Sequence, residues 1–137
     1  MDSALAIKIK EANQSLFMKG DLDQVEKYFS SNYKAQLTGK VLKGGHGAVR
    51  TMLESLLRSF SDIKVEIDVL LEHESRISWQ RTLHVTHTGK FKNFPASGDK
   101  LVWRDMVTSQ FQNGVIKEEW LVTDLAEQLL LARKKKS

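Results

Sequence analysis

The first half of the chain follows the period of an α-helix. Apolar residues recur every three to four positions from Leu5 to Phe17, and Gly20 follows them as a helix stop. Asp21 is a residue type that caps helices, and it precedes a shorter apolar pattern that ends at Phe29. These spacings predict two helices near the N-terminus.

A third helix is the clearest prediction in the chain. Its apolar residues fall at i, i+3, i+4, i+7, i+8 and i+11 and form one wide stripe: Val49, Met52, Leu53, Leu56, Leu57 and Phe60. The segment 30–45 before it has no sustained period, and we expect a connection there with one short strand at most. Glycines of this segment enter the helix, where free amides can hold an anion, although such glycines more often only let the chain turn.

After Asp62 the period changes to two, which is typical of half-buried strands. Alternation predicts strands at 63–69, 77–85, 101–111 and 115–122, with a loop at 89–99 and a closing helix from about 124. Asn113-Gly114 is a strong hairpin signal between the last two strands. Helices followed by consecutive antiparallel strands indicate an α+β class. We predict a strongly curved sheet around the third helix, with an apolar pocket at its open end.

Composition narrows the class of protein. The 137 residues are 41% hydrophobic and 28% charged, which fits one globular domain, and the absence of cysteine excludes disulfides and thiolate metal sites. The net charge of +4 lies in Arg133–Lys136, so we expect a neutral domain at 1–132 and a basic tail at 133–137. A neutral domain argues against a nucleic-acid partner. Without an apolar span or a basic leader, we expect no membrane partner and a cytoplasmic location.

Unexpected polar residues lie on the apolar faces of the predicted strands. Arg81 and His87 share a face with Trp79, and Asp105 shares one with Trp103. A buried charge costs several kcal/mol unless it is paired, so these residues form either an Arg81–Asp105 ion pair in the core or a functional site. No metal is expected, because His84 and His87 are three residues apart on one strand and so face opposite sides of the sheet.

Asp124 is a second candidate carboxylate, at the start of the closing helix. It shares parity with Trp120 if the last strand persists that far, and apolar residues follow it directly. Two readings stay open. An aspartate at this point is a common helix N-cap, whereas a carboxylate beside a tryptophan and leucines is a candidate acid/base group.

Short motifs over residues 40–131 resemble the SnoaL-like polyketide and ester cyclases of the nuclear-transport-factor-two-like superfamily. The matching segments, in order, are Gly45-x-Gly47, Phe60-Ser61-Asp62-Ile63, Thr86-His87-Thr88-Gly89-x-Phe91, Ser97-Gly98, Asn113-Gly114-x-Ile116 and Glu119-Trp120-x3-Asp124-Leu125. The resemblance implies a cone-shaped antiparallel sheet wrapped around the N-terminal helices.

The resemblance also implies a chemistry. It points to Asp124 as the general acid/base of an aldol-type ring closure on a hydrophobic, carbonyl-rich or aromatic small molecule, with no cofactor. His87 and Arg81 would then orient the carbonyl oxygens, with Asp105 as a further polar contact. Trp79, Trp103 and Trp120 would offer flat faces to the ligand.

Departures from the family pattern keep an alternative open. The cyclases support their aspartate with other polar residues of the pocket, including histidines on the last strands. Here Val122 stands two residues before Asp124, and the third predicted strand has no histidine. The alternative is a small-molecule binding protein of the same fold without turnover. We also expect a homodimer, because the outer face of the sheet needs a cover, although only Leu70, Val102 and Met106 are apolar residues placed there.

Overall fold

The computed structural model describes residues 1–136 and shows four α-helices and a six-stranded sheet. The elements in chain order are α1 (Ala4–Asn13), a π-helical turn (Gln14–Met18), a 3-10 turn (Leu22–Gln24), α2 (Val25–Tyr28), β1 (Phe29–Leu37), β2 (Lys40–Lys43), α3 (Gly45–Ser59), β3 (Phe60–His73), β4 (Arg76–His87), β5 (Lys100–Gln112), β6 (Val115–Thr123) and α4 (Leu125–Lys136).

The sheet is curved, unclosed and wrapped around the N-terminal helices, as the sequence predicted. Its strand order is β2-β1-β6-β5-β4-β3. It is mixed rather than wholly antiparallel, because β1 runs parallel to β6 while the other pairs are antiparallel. Together with the helices, this sheet makes an α+β cone.

The prediction of one short strand at most in 30–45 was wrong, because β1 and β2 form a hairpin there. Only Tyr33 and Ala35 of β1 are buried, and most of its other residues are polar. Such a strand is held by its backbone pairing with β2 and β6. A strand of this kind shows no hydrophobic alternation, so pattern reading does not detect it.

Helix α3 places its stripe as predicted, with one correction. Val49 and Leu53 are buried in the core, and Met52 and Leu56 line a cavity described below. Phe60 is the first residue of β3 rather than part of the helix. Its ring is nevertheless fully buried, so it contributes to the core from the strand.

Strands β4 and β5 carry the core on the faces that alternation predicted. On β4 the buried face runs from Ile77 to His87, and on β5 it runs from Leu101 to Phe111. His84 faces the other side of the sheet, where its ring nitrogen lies 2.6 Å from a Glu66 carboxylate oxygen. The two histidines of β4 are therefore on opposite faces.

An irregularity in the β5–β6 pairing changes which β6 residues face inward. Phe111 pairs with Ile116, but Gln110 pairs with Glu118, so one residue of β6 is extra. After it, Glu119 and Leu121 face the interior, and Trp120 and Val122 lie on the outer face. The predicted inward position of Trp120 is corrected for this reason.

Helix α4 closes the chain and continues to Lys136. Leu125 and Leu129 are buried, whereas Leu130 is exposed. The guanidinium of Arg133 lies 4.8 Å from the centroid of the Phe94 ring. The division of the chain at residue 132 remains a prediction. Among the residues described, no helix is long and apolar enough to cross a membrane.

Candidate functional site

A cavity of about 930 Å³ opens between β2, α3, the loop after β4 and the inner face of the sheet. Its buried base consists of Phe17, Arg81, Trp103, Asp105 and Leu125. Apolar side chains of intermediate exposure form the walls: Leu37, Leu42, Met52, Leu56, Phe91 and Leu121. The size and mostly apolar lining are typical of a small-molecule site.

Arg81 and Asp105 form an ion pair at the base of this cavity. They are direct partners in the β4–β5 ladder, so their side chains meet on the inner face. Arg81 donates from Nε and Nη2 to Asp105 Oδ2, at 2.9 and 2.8 Å. Its Nη1 donates to Asn13 Oδ1 at 3.0 Å. The ion-pair alternative is confirmed, and both residues also line the cavity.

Aromatic rings hold the Arg81 guanidinium in place. Its carbon lies 4.4 Å from the centroid of the Phe17 ring and 5.2 Å from that of the Trp79 ring. Cation–π contacts of this kind strengthen when they are removed from water. The cation is thus fixed by the rings, Asn13 and Asp105.

Asp105 has one oxygen without a partner. Oδ1 is buried and accepts no hydrogen bond from any described residue. An unsatisfied buried acceptor costs about 1–3 kcal/mol. The hydrogen bond that Oδ1 lacks is one that a hydroxyl, an enol or an acidic C–H of a ligand would supply.

A second buried network lies on the inner face of β1, β4, β5 and β6. Glu119 Oε1 accepts from the Tyr33 hydroxyl at 2.8 Å, and Oε2 accepts from the Ser109 hydroxyl at 2.5 Å. Trp79 Nε1 donates to the Ser109 oxygen at 3.0 Å. Burial raises the pKa of Glu119, and burial with the nearby Glu119 charge raises the pKa of Tyr33. Trp79 thus contacts both this network and the Arg81 guanidinium, and it is not among the described residues that line the cavity.

His87 lies away from the main cavity. It lines a second cavity of about 330 Å³ with Phe94–Ser97 and the α4 residues Leu129, Ala132 and Arg133. Its ring centroid is 5.1 Å from that of Phe60, and its buried Nε2 has no partner among the described residues. His87 and Arg81 thus line different cavities.

Asp124 lies between two residues that line the main cavity, Thr123 and Leu125, but is not itself among the described lining residues of either cavity. Its Oδ1 accepts from the Arg104 backbone N–H at 2.7 Å, and its Oδ2 accepts from Gln128 Nε2 at 3.2 Å. The first amide of α4, that of Leu125, donates instead to the Thr123 hydroxyl at 3.2 Å. The acid/base role of Asp124 stays a prediction.

The tryptophans separate into three environments. Trp103 lines the main cavity, and its ring centroid lies 4.9 Å from that of Phe60. Trp120 lies on the outer face, where the Arg76 guanidinium is 4.9 Å from its ring centroid.

Sequence reasoning missed Asn13, although a polar residue between Ile9 and Leu16 on an apolar helical stripe carries the same signal as Arg81.

The fold and its mostly apolar cavity define an α+β cone protein with an internal cavity. The sequence profile of the SnoaL-like polyketide cyclase family matches residues 7–130, and the chain belongs to this family. No curated protein matches the chain.

Solved structures share the fold at low sequence identity. A candidate polyketide cyclase from Acidithiobacillus ferrooxidans superposes with a TM-score of 0.87 at 15% identity, covering 98% of this chain and 97% of its own. A SnoaL-like polyketide cyclase from Agrobacterium tumefaciens C58 gives 0.73 at 20% identity, covering 94% and 99%. An NTF2-like protein of unknown function from Burkholderia pseudomallei gives 0.73 at 18%, covering 95% and 98%.

Proposed function

We propose that the chain binds a hydrophobic, carbonyl-rich small molecule in the main cavity and performs cyclase-like acid/base chemistry on it. The observation that carries this proposal is the unpartnered Oδ1 of Asp105, a buried residue at the base of a mostly apolar cavity. Family membership supports a cyclase-like reaction.

Asp105 and Asp124 are the two candidate acid/base groups. The family resemblance favours Asp124. The geometry favours Asp105, because Asp105 is among the described residues that line the cavity and Asp124 is not. Asp105 would take a proton from a carbon between two carbonyl groups. The resulting enolate carbon would attack a further carbonyl carbon of the same molecule to close the ring, and the proton would return from Asp105 to the new alkoxide oxygen.

Arg81 has a positioning role in this proposal. It holds Oδ2 of Asp105 with two donors and so leaves Oδ1 without a donor. A ligand that packs against the apolar walls would displace water, which would strengthen its electrostatic contacts with the carboxylate. Trp103 supplies an aromatic face at the base of the cavity.

A proton-exchange assay tests the proposal without knowledge of the natural substrate. The probe is ethyl benzoylacetate, an aromatic compound with an acidic C–H between two carbonyls, and the readout is deuterium uptake at that carbon by NMR. Asp105→Asn should abolish the protein-dependent exchange, whereas Asp124→Asn and the exposed control Asp68→Asn should keep it. Loss in Asp124→Asn with retention in Asp105→Asn would transfer the acid/base role to Asp124.

Binding without turnover is the second candidate function. It is favoured by the engagement of both carboxylates, since Arg81 holds Asp105 and the Arg104 amide holds Asp124. In that case the wild-type protein binds ethyl benzoylacetate, measured by calorimetry, but does not accelerate exchange. Absence of both binding and exchange would contradict the proposed site.

A further inference from the structure

The rim of the main cavity is positively charged. Lys40 and Lys43 of β2 and Lys92 of the loop after β4 are exposed and line the same cavity. Among the described residues, none of these lysines is paired with a carboxylate. Asp105 is the acidic residue in the described lining, and Arg81 already pairs with it. The charge of the rim is therefore uncompensated.

This charge is not part of a general basic surface. The excess of basic over acidic residues in the chain equals the four cations of Arg133–Lys136, and the rest of the chain is balanced. A cluster of three unpaired lysines around one opening is thus a local feature. A cleft with low-dielectric walls focuses such a field and raises the local concentration of anions.

The start of α3 lies at the same rim, and its partial charge is positive like that of the lysines. Gly44, which precedes the helix, and Gly47 in its first turn line the cavity, and Gly44 provides no side-chain cap. The free amides of a first helical turn carry partial positive charge. Packing explains the glycine at position 45, because an added Cβ there would lie 2.0 Å from the Ser31 carbonyl oxygen. The helix adds to the field of the lysines.

The base of the cavity is complementary to a different ligand group than the rim. There the unpartnered Oδ1 of Asp105 calls for a hydrogen-bond donor or an acidic proton rather than for an anion. This acceptor is buried, the lysines are exposed, and the apolar wall residues of the same cavity have intermediate exposure. A ligand complementary to both ends is therefore amphipathic, with its charge at one end.

We infer that the cavity selects an amphipathic anion: an apolar, carbonyl- or hydroxyl-bearing body that enters the cavity and a carboxylate or phosphate that stays at the rim with Lys40, Lys43 and Lys92. This inference rests on the proposed function and names its ligand class. The anionic group supplies orientation, because it keeps the opposite end of the ligand next to Asp105.

Three naphthalene probes separate the body of the ligand from its charge. 2-Naphthoate and methyl 2-naphthoate share one ring system and differ in charge, and 2-naphthyl phosphate replaces the carboxylate by a phosphate. Calorimetric titration at low salt should give at least roughly tenfold tighter binding of one anion than of the ester, as desolvated charge contacts allow. The tighter anion identifies which acidic group the rim prefers. Added salt should weaken the anion and leave the ester unchanged.

The matched variants are Lys40→Gln/Lys43→Gln/Lys92→Gln and the control Lys19→Gln/Lys64→Gln/Lys100→Gln. Both remove the same net charge, but the control residues are exposed and lie outside the described lining of both cavities. The rim variant should lose the preference for the anion and keep the affinity for the ester, and the control should keep both.

Equal affinity of the ester and both anions for the wild-type protein, or equal loss of anion binding in both variants, would overturn the inference while the cavity proposal stands. Failure of all three probes to bind would contradict the cavity proposal itself.

Discussion

Arg81 is the residue on which the architecture of the site depends. It contacts Asp105, Asn13 and the rings of Phe17 and Trp79, and its side chain is only 11% exposed. Arg81→Met should lower the free energy of unfolding by about 3–5 kcal/mol, because Asp105 would stay buried without its partner. Arg81→Met/Asp105→Leu should recover most of that loss. Urea denaturation measures both, and a single variant within about 1 kcal/mol of wild type would contradict the account.

Arg81 and Asp105 could be predicted because strand alternation places each charge on a face of otherwise apolar residues. The same reasoning failed for Trp120, because the extra residue in β6 reverses the alternation and is not visible in the sequence. The sequence also could not predict that Oδ1 of Asp105 has no hydrogen-bond partner among the described residues. Which oxygen a guanidinium holds depends on side-chain geometry, not on residue type.

Glu119 makes the stability of the protein depend on pH. Burial raises the pKa of this carboxyl above its ordinary value of 4.5, so the folded protein keeps a proton that the unfolded chain releases. The stability contributed by this proton is present below pH 4.5 and is lost as the pH rises from 4.5 through the folded pKa.

Glu119→Gln removes the titrating group and keeps the side-chain shape. The free energy of unfolding of wild type minus that of the variant should fall as the pH rises above 4.5. Denaturant titrations at several pH values measure this difference. A difference that is constant across the range would show that Glu119 does not keep its proton in the folded protein.

At the scale of elements, the start of α3 forms part of the cavity wall. Gly47 lines the cavity, and an added Cβ there would meet no atom within 4 Å. Gly47→Phe should therefore weaken methyl 2-naphthoate binding at least roughly tenfold by filling the entrance, without loss of stability, because glycine is a poor helix former. Gly47→Ala is the control and should bind the ester like wild type. Unchanged affinity in Gly47→Phe would place the ester elsewhere.

Element prediction succeeded where one face of an element is buried and periodic. Helix α3 and strands β4 and β5 have such faces, and their sequence positions agree with the structure to within a few residues. Strand β1 escaped detection because only Tyr33 and Ala35 of it are buried and its pairing partners lie in β2 and β6. The missed hairpin supplies Lys40 and Lys43, so the charged rim was missed with it.

For the whole molecule, the outer face of the sheet leads to the prediction of a homodimer. Met106 is 44% exposed and its β6 partner Val122 is 60% exposed, so they form an apolar pair on that face. Sedimentation at micromolar concentration should give about twice the 15.6 kDa chain mass, since an exposed apolar face favours self-association. Met106→Glu/Val122→Glu should give the monomer. A wild-type species of 15.6 kDa would contradict the prediction.

The central claim is that a hydrophobic ligand occupies the main cavity and contacts its base. The indole N–H signals of the tryptophans in a proton–nitrogen NMR spectrum test it, because the three rings differ in position. Trp103 lines the cavity, Trp79 contacts Arg81 without lining the cavity, and Trp120 is on the outer face. Single tryptophan-to-phenylalanine variants assign the signals. Titration with methyl 2-naphthoate should shift the Trp103 signal most and leave that of Trp120 unchanged. A shift of Trp120 with Trp103 unmoved would contradict the account.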